Sequence, residues 1–182
     1  MPDVLVPLAQ GCEELEAITI TDLLVRAGIN VTTAGLDEKP VKASRGMTLL
    51  PDTSIGKVSD NIYDMIVLPG GLPGADHLAS DSSVQQLLIK HAQLGKYIAA
   101  ICAAPKALAT AGLLTNKTVS CYPGALDSLS LSTTRITSNA VEIDQTIITS
   151  RGPGTAMDFA LTLIELLAGK NKRDEVNQQL VR

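Results

Sequence analysis

Short apolar runs alternate with segments of helical periodicity along this chain. The first run covers residues 4–8, and residues 13–27 follow with apolar positions at helical spacing and an Ala27-Gly28 stop. Residues 30–36 then return to a β-rich pattern. A strand, a helix and a second strand in this order form a right-handed βαβ unit, so the pattern predicts a parallel sheet.

The alternation continues to the end of the chain, with one segment that breaks it. Residues 41–50 carry Ser44-Arg45-Gly46 at their middle, which predicts a hairpin or a bent strand pair on the sheet edge. The other predicted elements are strands at 63–68, 96–101 and 118–121, a hairpin of 140–143 with 146–149, and helices at 82–94, 104–111, 155–168 and about 174–180. A single three-layer α/β sandwich with a mainly parallel sheet accounts for this order.

Composition narrows the classes of function. A length of 182 residues suits one domain, residues 1–182, with a core that needs no disulfide or metal for stability. The chain has no Trp, one Phe and three Tyr, so it lacks a stacking platform for single-stranded nucleic acid. Its net charge is −4 and no Lys/Arg cluster is present, which argues against direct binding of nucleic acid or acidic membranes.

The cysteines and the first residues predict a soluble, reduced protein. Cys12, Cys102 and Cys121 are an odd number without CxxC spacing, so we expect neither a disulfide framework nor a metal site. The start lacks a basic region before its short apolar run, and no segment approaches membrane-spanning length. We therefore expect a cytoplasmic location. Neither GxGxxG nor a phosphate loop occurs, and we expect no cofactor.

Cys102 is the candidate nucleophile. Residues 97–101 form an apolar run that stops at this cysteine, and the chain resumes as a small-residue helix. The backbone N–H groups that follow a thiol on a tight strand-to-helix turn, together with the helix dipole, favour its anionic form. Cys121 ends another apolar strand and is interpreted as a core residue, whereas Cys12 lies close to the predicted site without an assigned role.

Two glycines end the strand at residues 63–68. In an α/β sheet, ligands bind at the carboxyl ends of the strands, where Gly70 and Gly71 meet Cys102. Their N–H groups, with that of Ala103, are suited to stabilise an oxyanion formed when the thiol attacks a carbonyl. A tight turn that requires a positive φ explains the two glycines equally well.

Glu16 is the second candidate. Helical spacing places it on one stripe with Ile20 and Leu23, which faces the sheet and predicts a partly buried carboxyl. Burial raises the pKa of a carboxyl, and a protonated carboxyl donates a hydrogen bond to a thiolate or shuttles a proton. An ordinary charge near the helix end is the alternative. Glu13 and Glu14 lie in the first turn, where carboxylates simply favour the dipole.

Basic residues and histidines carry weaker signals. Arg26 is most simply explained as a cation that complements the end of its helix, and Arg45 has no assignment from pattern alone. The loop at residues 151–155 is either part of a site or only a strand-to-helix connection. His77 lies in a loop and His91 fits a helix edge. Because no histidine follows Cys102, a Cys-His dyad of the papain or glutaminase type is disfavoured.

Several blocks, in order over nearly the whole chain, resemble the ThiJ/PfpI superfamily, in the branch of Parkinson disease protein 7 and bacterial YajL. The blocks are GCEELE at 11–16, LLVRAGI at 23–29, SRG at 44–46, VLPGG at 67–71, AAICAAP at 99–105 and TSRGPGT at 149–155. The resemblance implies a flavodoxin-like homodimer in which Cys102 hydrogen-bonds a protonated Glu16 and oxidises readily to a sulfinic acid.

The resemblance also implies a set of pocket residues. It places Gly71 and Ala103 at the oxyanion site, and Arg26 and Arg45 near the pocket, across or beside the dimer interface. Gly70, Tyr122, Gly152 and Pro153 are further candidates for the oxyanion site and pocket. Tyr122 stands where many members have a histidine. This difference leaves the Cys/Glu pair intact but removes the obvious general base, which disfavours protease or amidase chemistry.

Two functions follow from the resemblance. The first is a cofactor-independent glyoxalase or deglycase of carbonyl stress, in which Cys102 adds to methylglyoxal or to its early glycation adducts and Glu16 exchanges protons. The alternative is a non-enzymatic redox sensor or redox-regulated chaperone, whose output is the oxidation of Cys102. A third interpretation is a scaffold in which Cys102 is vestigial. Small dicarbonyls, or glycated or oxidised proteins, are the expected partners.

Overall fold

A seven-stranded sheet forms the centre of the computed structural model, which describes residues 1–181. The strands are β1 (Asp3–Leu8), β2 (Asn30–Gly35), β3 (Val41–Lys42), β4 (Thr48–Leu49), β5 (Thr53–Ser54), β6 (Met65–Leu68), β7 (Tyr97–Ile101), β8 (Thr118–Ser120), β9 (Arg135–Thr137), β10 (Val141–Asp144) and β11 (Ile147–Ser150). The order across the sheet is β10-β11-β7-β6-β1-β2-β5. All neighbours are parallel except the β10–β11 hairpin at one edge.

Helices cover both faces of this sheet. They are α1 (Glu14–Arg26), α2 (Ile55–Val58), α3 (Gly74–Ser80), α4 (Ser82–Gln93), α5 (Pro105–Thr110), α6 (Ala156–Ala168) and α7 (Lys170–Gln179), with a 3-10 turn at Pro153–Thr155. On one face α1 packs on α6 and α6 on α7; on the other, α3 packs on α4 and α5. The predicted three-layer α/β sandwich is confirmed.

The central strands are buried on both faces, as their nearly continuous apolar sequences predict. In β1, Val4 and Val6 belong to the core cluster that includes Phe159 of α6, whereas Leu5 belongs to the cluster that includes Leu88 of α4. Successive residues of a strand point to opposite faces, so one short apolar run supplies both cores. The carboxyl ends of β1, β6 and β7 therefore lie side by side on a rigid support.

Several segments differ from the sequence-based expectation, including residues 53–58, where β5 and α2 form without having been predicted. The predicted hairpin at residues 41–50 forms, but β3 and β4 pair only with each other, and β5 occupies that sheet edge instead. The segment after Gly71, predicted as a loop, contains the helix α3. The Ser/Thr-rich stretch before the second hairpin contains β9, which pairs in parallel with β8 outside the central sheet. No helix within residues 1–181 is both long and apolar enough to cross a membrane.

Candidate active site

Cys102 lies on a strained turn between β7 and α5. Its φ is 63°, a left-handed conformation that a residue with a side chain rarely adopts. Backbone hydrogen bonds hold the turn on both sides, because the Cys102 N–H donates to the carbonyl of Ser150 and its own carbonyl accepts from the N–H of Tyr122. The side chain is nearly buried, with 8% of the residue exposed. The thiol is thus fixed at the base of a pocket.

Glu16 of α1 lies beside this thiol and is completely buried. Its Oε2 accepts the N–H of Gly70 at 2.7 Å. Its Oε1 is also buried and finds no hydrogen-bond partner of its own among residues 1–181. The contact between the Glu16 carboxyl and the Cys102 thiol shifts the pKa of each group. The expected Cys/Glu pair is therefore present in the geometry.

Burial dominates the protonation of this pair. It raises the pKa of Glu16 to about 7, although the N–H of Gly70 and the Cys102 contact act in the opposite direction. Burial, followed by the charge and hydrogen bond of Glu16, raises the pKa of the Cys102 thiol to about 12, against the lowering by the N–H groups of Gly71 and Ala103. The turn amides favour the thiolate as expected, but burial and the charge of Glu16 together outweigh them. A proton on Glu16 removes the charge repulsion, whereas the effect of burial on the thiol remains.

A pocket of about 300 Å³ opens above the thiol. It is lined by Glu13, Ser44, Arg45, Gly71, Leu72, Cys102, Ala103, Tyr122 and Pro153. Most of the residues that the sequence predicted for the pocket therefore lie together, on loops that follow different strands. We call this cavity the Cys102 pocket.

The two glycines are required for different reasons. At Gly70, an added Cβ would lie 2.7 Å from Cβ of Cys102 and 2.8 Å from Oε2 of Glu16. At Gly71, φ is +89° and an added Cβ would lie 2.4 Å from the backbone nitrogen of Glu13. Only glycine allows these backbones to approach each other so closely. The turn interpretation thus applies to Gly71, and the close approach to the Cys/Glu pair applies to Gly70.

Tyr122 forms one wall of the Cys102 pocket and is half exposed. Its ring lies against the backbone of Gly152, where an added Cβ would be 3.4 Å from Cδ2. Pro153 lines both this pocket and a smaller neighbouring one that also contacts Tyr122. The loop at residues 151–155 is therefore a wall of the site as well as a connection. Arg151 of this loop donates to the carbonyl of Ser138 and does not line the Cys102 pocket.

The two candidate arginines lie in different places. Arg45 lines the pocket, and its Nε is 3.8 Å from Oε2 of Glu13. Arg26 lies at the other end of α1, about 15 Å along the helix from Glu16, and pairs with Asp22 at 2.7 Å. The structure does not bring Arg26 to the pocket of its own chain.

Glu13 and Glu14 do more than favour the helix dipole, which was their predicted role. The N–H groups of Arg45 and Met47 donate to the Glu14 carboxylate, and the Ser44 hydroxyl donates to Oε2 of Glu13 at 2.9 Å. Both carboxylates are nearly buried. They fix the β3–β4 turn at the rim of the pocket. No local signal predicts this, because the partners lie about 30 residues away in the sequence.

The histidines do not contribute a catalytic dyad. His77 is exposed, and its Nδ1 lies 3.0 Å from the carbonyl of Gln10, away from the pocket lining. His91 is fully buried, so its interpretation as a helix-edge residue is wrong. Its Nε2 accepts the N–H of Tyr63, which leaves Nδ1–H to donate to the carbonyl of Leu87. His91 is therefore a neutral structural residue.

The remaining thiols and possible metal ligands form no second site. Cys12 and Cys121 are buried and free, and burial raises the pKa of both, that of Cys12 to about 11. Cys121 is the core residue that the sequence predicts. Within residues 1–181, His, Cys, Asp and Glu form no cluster of the kind that holds a metal ion.

The sequence matches one protein family over most of its length. The model of the DJ-1/PfpI family matches residues 2–166. The chain is 46% identical to Protein dj-1beta of Drosophila melanogaster over 97% of its own length and 95% of that relative. It is 35% identical to the protein named glutathione-independent glyoxalase DJR-1.2 of Caenorhabditis elegans, over 94% of this chain and 91% of the relative.

Solved structures give the same result. The crystal structure of Drosophila melanogaster DJ-1beta superposes with a TM-score of 0.94 at 44% identity, covering 99% of this chain and 97% of the other. The flavodoxin-like sandwich expected from the sequence is thus confirmed. Two DJ-1 homologues of Arabidopsis thaliana are longer, and the chain spans only 41% and 46% of their lengths.

Proposed function

The chain belongs to the DJ-1/PfpI family, and we propose that it is a cysteine-dependent, cofactor-independent glyoxalase that acts on small dicarbonyls such as methylglyoxal. The observation that carries this proposal is the pairing of the Cys102 thiol with the buried Glu16 carboxyl, beside the N–H groups of Gly71 and Ala103. The name of the Caenorhabditis elegans relative supports the same class of reaction.

In the first step, the sulfur of Cys102 adds to the aldehyde carbon. The proton of the thiol passes to Glu16 as the S–C bond forms, and the π pair of the carbonyl moves onto its oxygen. The N–H groups of Gly71 and Ala103, which already contact the sulfur, are placed to stabilise this oxyanion. Glu16 then returns the proton to the oxygen, which gives a hemithioacetal.

In the second step, a proton leaves one of the two adjacent carbons and another is added to its neighbour. Glu16 accepts the hydrogen of the former aldehyde carbon as a proton and keeps it, and the electron pair left behind forms an enediolate. The neighbouring carbon takes a proton from solvent in the open pocket, and the hydroxyl proton on the first carbon passes to the oxygen of the second. One carbon is oxidised and the other is reduced to the same extent, so no external redox partner takes part. The product is a hydroxyacyl thioester of Cys102, and water hydrolyses it to the hydroxy acid and the free thiol.

The dimensions of the pocket extend the proposal to larger substrates. A cavity of about 300 Å³, with an exposed Tyr122 wall, has more room than a three-carbon dicarbonyl fills. Early adducts of such a dicarbonyl with amino or thiol groups keep the carbon to which Cys102 bonds. In an adduct, the bond from this carbon to the amino or thiol group breaks as the S–C bond to Cys102 forms, and the amine or thiol leaves with the proton of the Cys102 thiol. We include a deglycase activity on these adducts, and on glycated proteins, in the proposal.

A second candidate function rests on the unpartnered oxygen of Glu16. Oε1 is buried without a hydrogen-bond partner among the described residues, which is costly in free energy. When an oxygen is added to the sulfur of Cys102, a protonated Glu16 donates a hydrogen bond to that oxygen through Oε1. This arrangement favours a redox sensor or redox-regulated chaperone, in which peroxide converts the thiol through a sulfenic to a sulfinic acid.

We also propose a homodimer in the cytoplasm. Leu15, Ile18 and Val25 on α1, and Met47 and Leu50 at the β3–β4 hairpin, are large apolar residues that are exposed in the single chain. Ile18 and Leu50 line one surface hollow, so the two groups adjoin each other. Contiguous exposed apolar surface is typical of protein interfaces. Light scattering after gel filtration is expected to give twice the mass of the chain, and Val25→Glu is expected to lower the measured mass.

The three free cysteines support the proposed location in the cytoplasm, which is a reducing compartment.

The experiment that tests the main proposal is turnover of methylglyoxal to lactate without added thiol. We expect the wild-type protein to form lactate and Cys102→Ser to form none above background. Turnover by Cys102→Ser at the wild-type rate contradicts the proposal.

A further inference from the structure

Glu13 is a second carboxylate at the Cys102 pocket, and its surroundings differ from those of Glu16. It lines the pocket with its side chain 11% exposed, whereas Glu16 is completely enclosed. Glu13 occupies the N-cap position of α1, yet its side chain makes no capping hydrogen bond. Its carboxylate therefore lines the pocket and does not cap the helix.

Two neighbours on the hairpin turn hold this carboxylate at the pocket. The hydroxyl of Ser44 donates to Oε2 of Glu13 at 2.9 Å, and Nε of Arg45 lies 3.8 Å from the same oxygen. The Ser44 hydroxyl also lies 3.2 Å from Oε2 of Glu14. The other titratable groups around Glu13 are Glu16, Cys12 and Cys102.

Two carboxyl groups at one site with different surroundings divide the roles of acid and base. Glu16 is enclosed without solvent access, whereas water reaches Glu13 through the open pocket. We propose that Glu13 is the general base that activates the water molecule which hydrolyses the acyl thioester on Cys102. This inference rests on the proposed thiol chemistry, which forms the thioester, and it adds the group that removes it.

The step balances with the residues present. Glu13 accepts a proton from water as the water oxygen bonds to the thioester carbon, and the π pair of the carbonyl moves onto its oxygen. The N–H groups of Gly71 and Ala103 hold this oxyanion. When the pair returns, the C–S bond breaks and its electrons leave with the sulfur of Cys102, which Glu16 protonates. The acid departs, and Glu13 gives its proton to solvent.

A chromogenic ester isolates this step from dicarbonyl chemistry. p-Nitrophenyl acetate acylates a thiol and releases nitrophenolate, so the burst measures acylation of Cys102 and the later steady rate measures deacylation. We expect Glu13→Gln to keep the burst and to slow deacylation by about 10²-fold or more, the usual contribution of a general base. Intact mass is expected to show one acetyl group, which hydroxylamine removes. Asp22→Asn, which removes an exposed carboxylate at the far end of α1, is expected to keep both phases.

A second variant keeps the carboxylate and shortens its side chain by one methylene. Glu13→Asp is expected to recover part of the deacylation rate that Glu13→Gln loses, because a carboxylate at the pocket still accepts the proton of water. A purely structural role of Glu13 predicts no such recovery, since Gln is closer in size to Glu than Asp is. Should Glu13→Gln fail to fold, as judged by circular dichroism, Glu13→Ala takes its place in this comparison.

Each outcome is decisive. Equal deacylation in wild type and Glu13→Gln, with both bursts intact, overturns the inference, as does a Glu13→Asp variant that deacylates no faster than Glu13→Gln. A wild-type protein whose deacylation depends on Glu13 but that leaves methylglyoxal unchanged supports the inference and contradicts the proposed dicarbonyl activity. A wild-type protein without any burst overturns both.

Discussion

Gly70 donates its backbone N–H to Oε2 of Glu16 at 2.7 Å, which links the end of β6 to α1 across 54 positions of sequence. This bond fixes the carboxyl beside the Cys102 thiol, and only a glycine leaves room for it. The reactive pair is thus assembled by the packing of a helix against a strand end, before any substrate binds.

Gly70→Ala tests this close packing. The new Cβ meets Cβ of Cys102 at 2.7 Å and Oε2 of Glu16 at 2.8 Å, so one of them has to move. We expect a loss of about 1–3 kcal/mol in the free energy of unfolding, typical of overpacking, together with a loss of methylglyoxal turnover. Gly56→Ala is the control, because nothing lies within 4 Å of its added Cβ. Denaturant unfolding of both variants checks the prediction, and equal effects contradict it.

Glu16→Gln tests the protonation of the buried carboxyl. The pKa of Glu16 is about 7 in the folded protein against an ordinary 4.5, so the folded state holds a proton that the unfolded state loses between these values. Wild-type stability is therefore full below pH 4.5 and declines as pH rises to about 7, by on the order of 3 kcal/mol. The neutral amide lacks this decline.

The measurement for Glu16→Gln is urea unfolding of both proteins between pH 4.5 and 7.5. The difference in unfolding free energy is expected to move in favour of the variant as the pH rises. Identical pH slopes in the two proteins are incompatible with a buried carboxyl that holds its proton.

Oxidation tests the second candidate function. Cys102 lines an open pocket, whereas Cys12 and Cys121 are buried outside it. Limited peroxide followed by peptide mass spectrometry is expected to add oxygen at Cys102 before the other two thiols, up to the sulfinic acid. In Glu16→Ala, which lacks the buried partner, we expect the sulfinic form to decrease relative to the fully oxidised form. Similar oxidation of all three cysteines argues against a privileged thiol.

Most of the fold was predictable because the spacing of apolar residues along the chain indicates helices and strands. Helix α1 and strands β6 and β7 were expected because their apolar positions determine which faces are buried. Helix α3 and strand β9 were missed, because they are short, carry small or polar residues and depend on contacts with distant elements. Intrinsic propensity decides little in such segments.

The candidate site was also predictable only where its residues have a local sequence signature. Cys102 and Glu16 were found because a strand-to-helix turn and a helical stripe each have a local signature. The contacts of Glu13 with the hairpin were missed, because the hairpin packs on α1 only in the folded chain. Arg26 was placed in the pocket by resemblance alone, and its own chain holds it at the opposite end of α1.

The most direct test of the account is lactate formation from methylglyoxal by the purified protein, without glutathione or any added metal. Wild type and Cys121→Ser are expected to produce lactate at similar rates. Cys102→Ser is expected to produce none above background, and Glu16→Gln to lose about 10²-fold or more of the rate. A wild-type rate that does not exceed the Cys102→Ser background contradicts the central claim that the Cys102–Glu16 pair is a catalytic site.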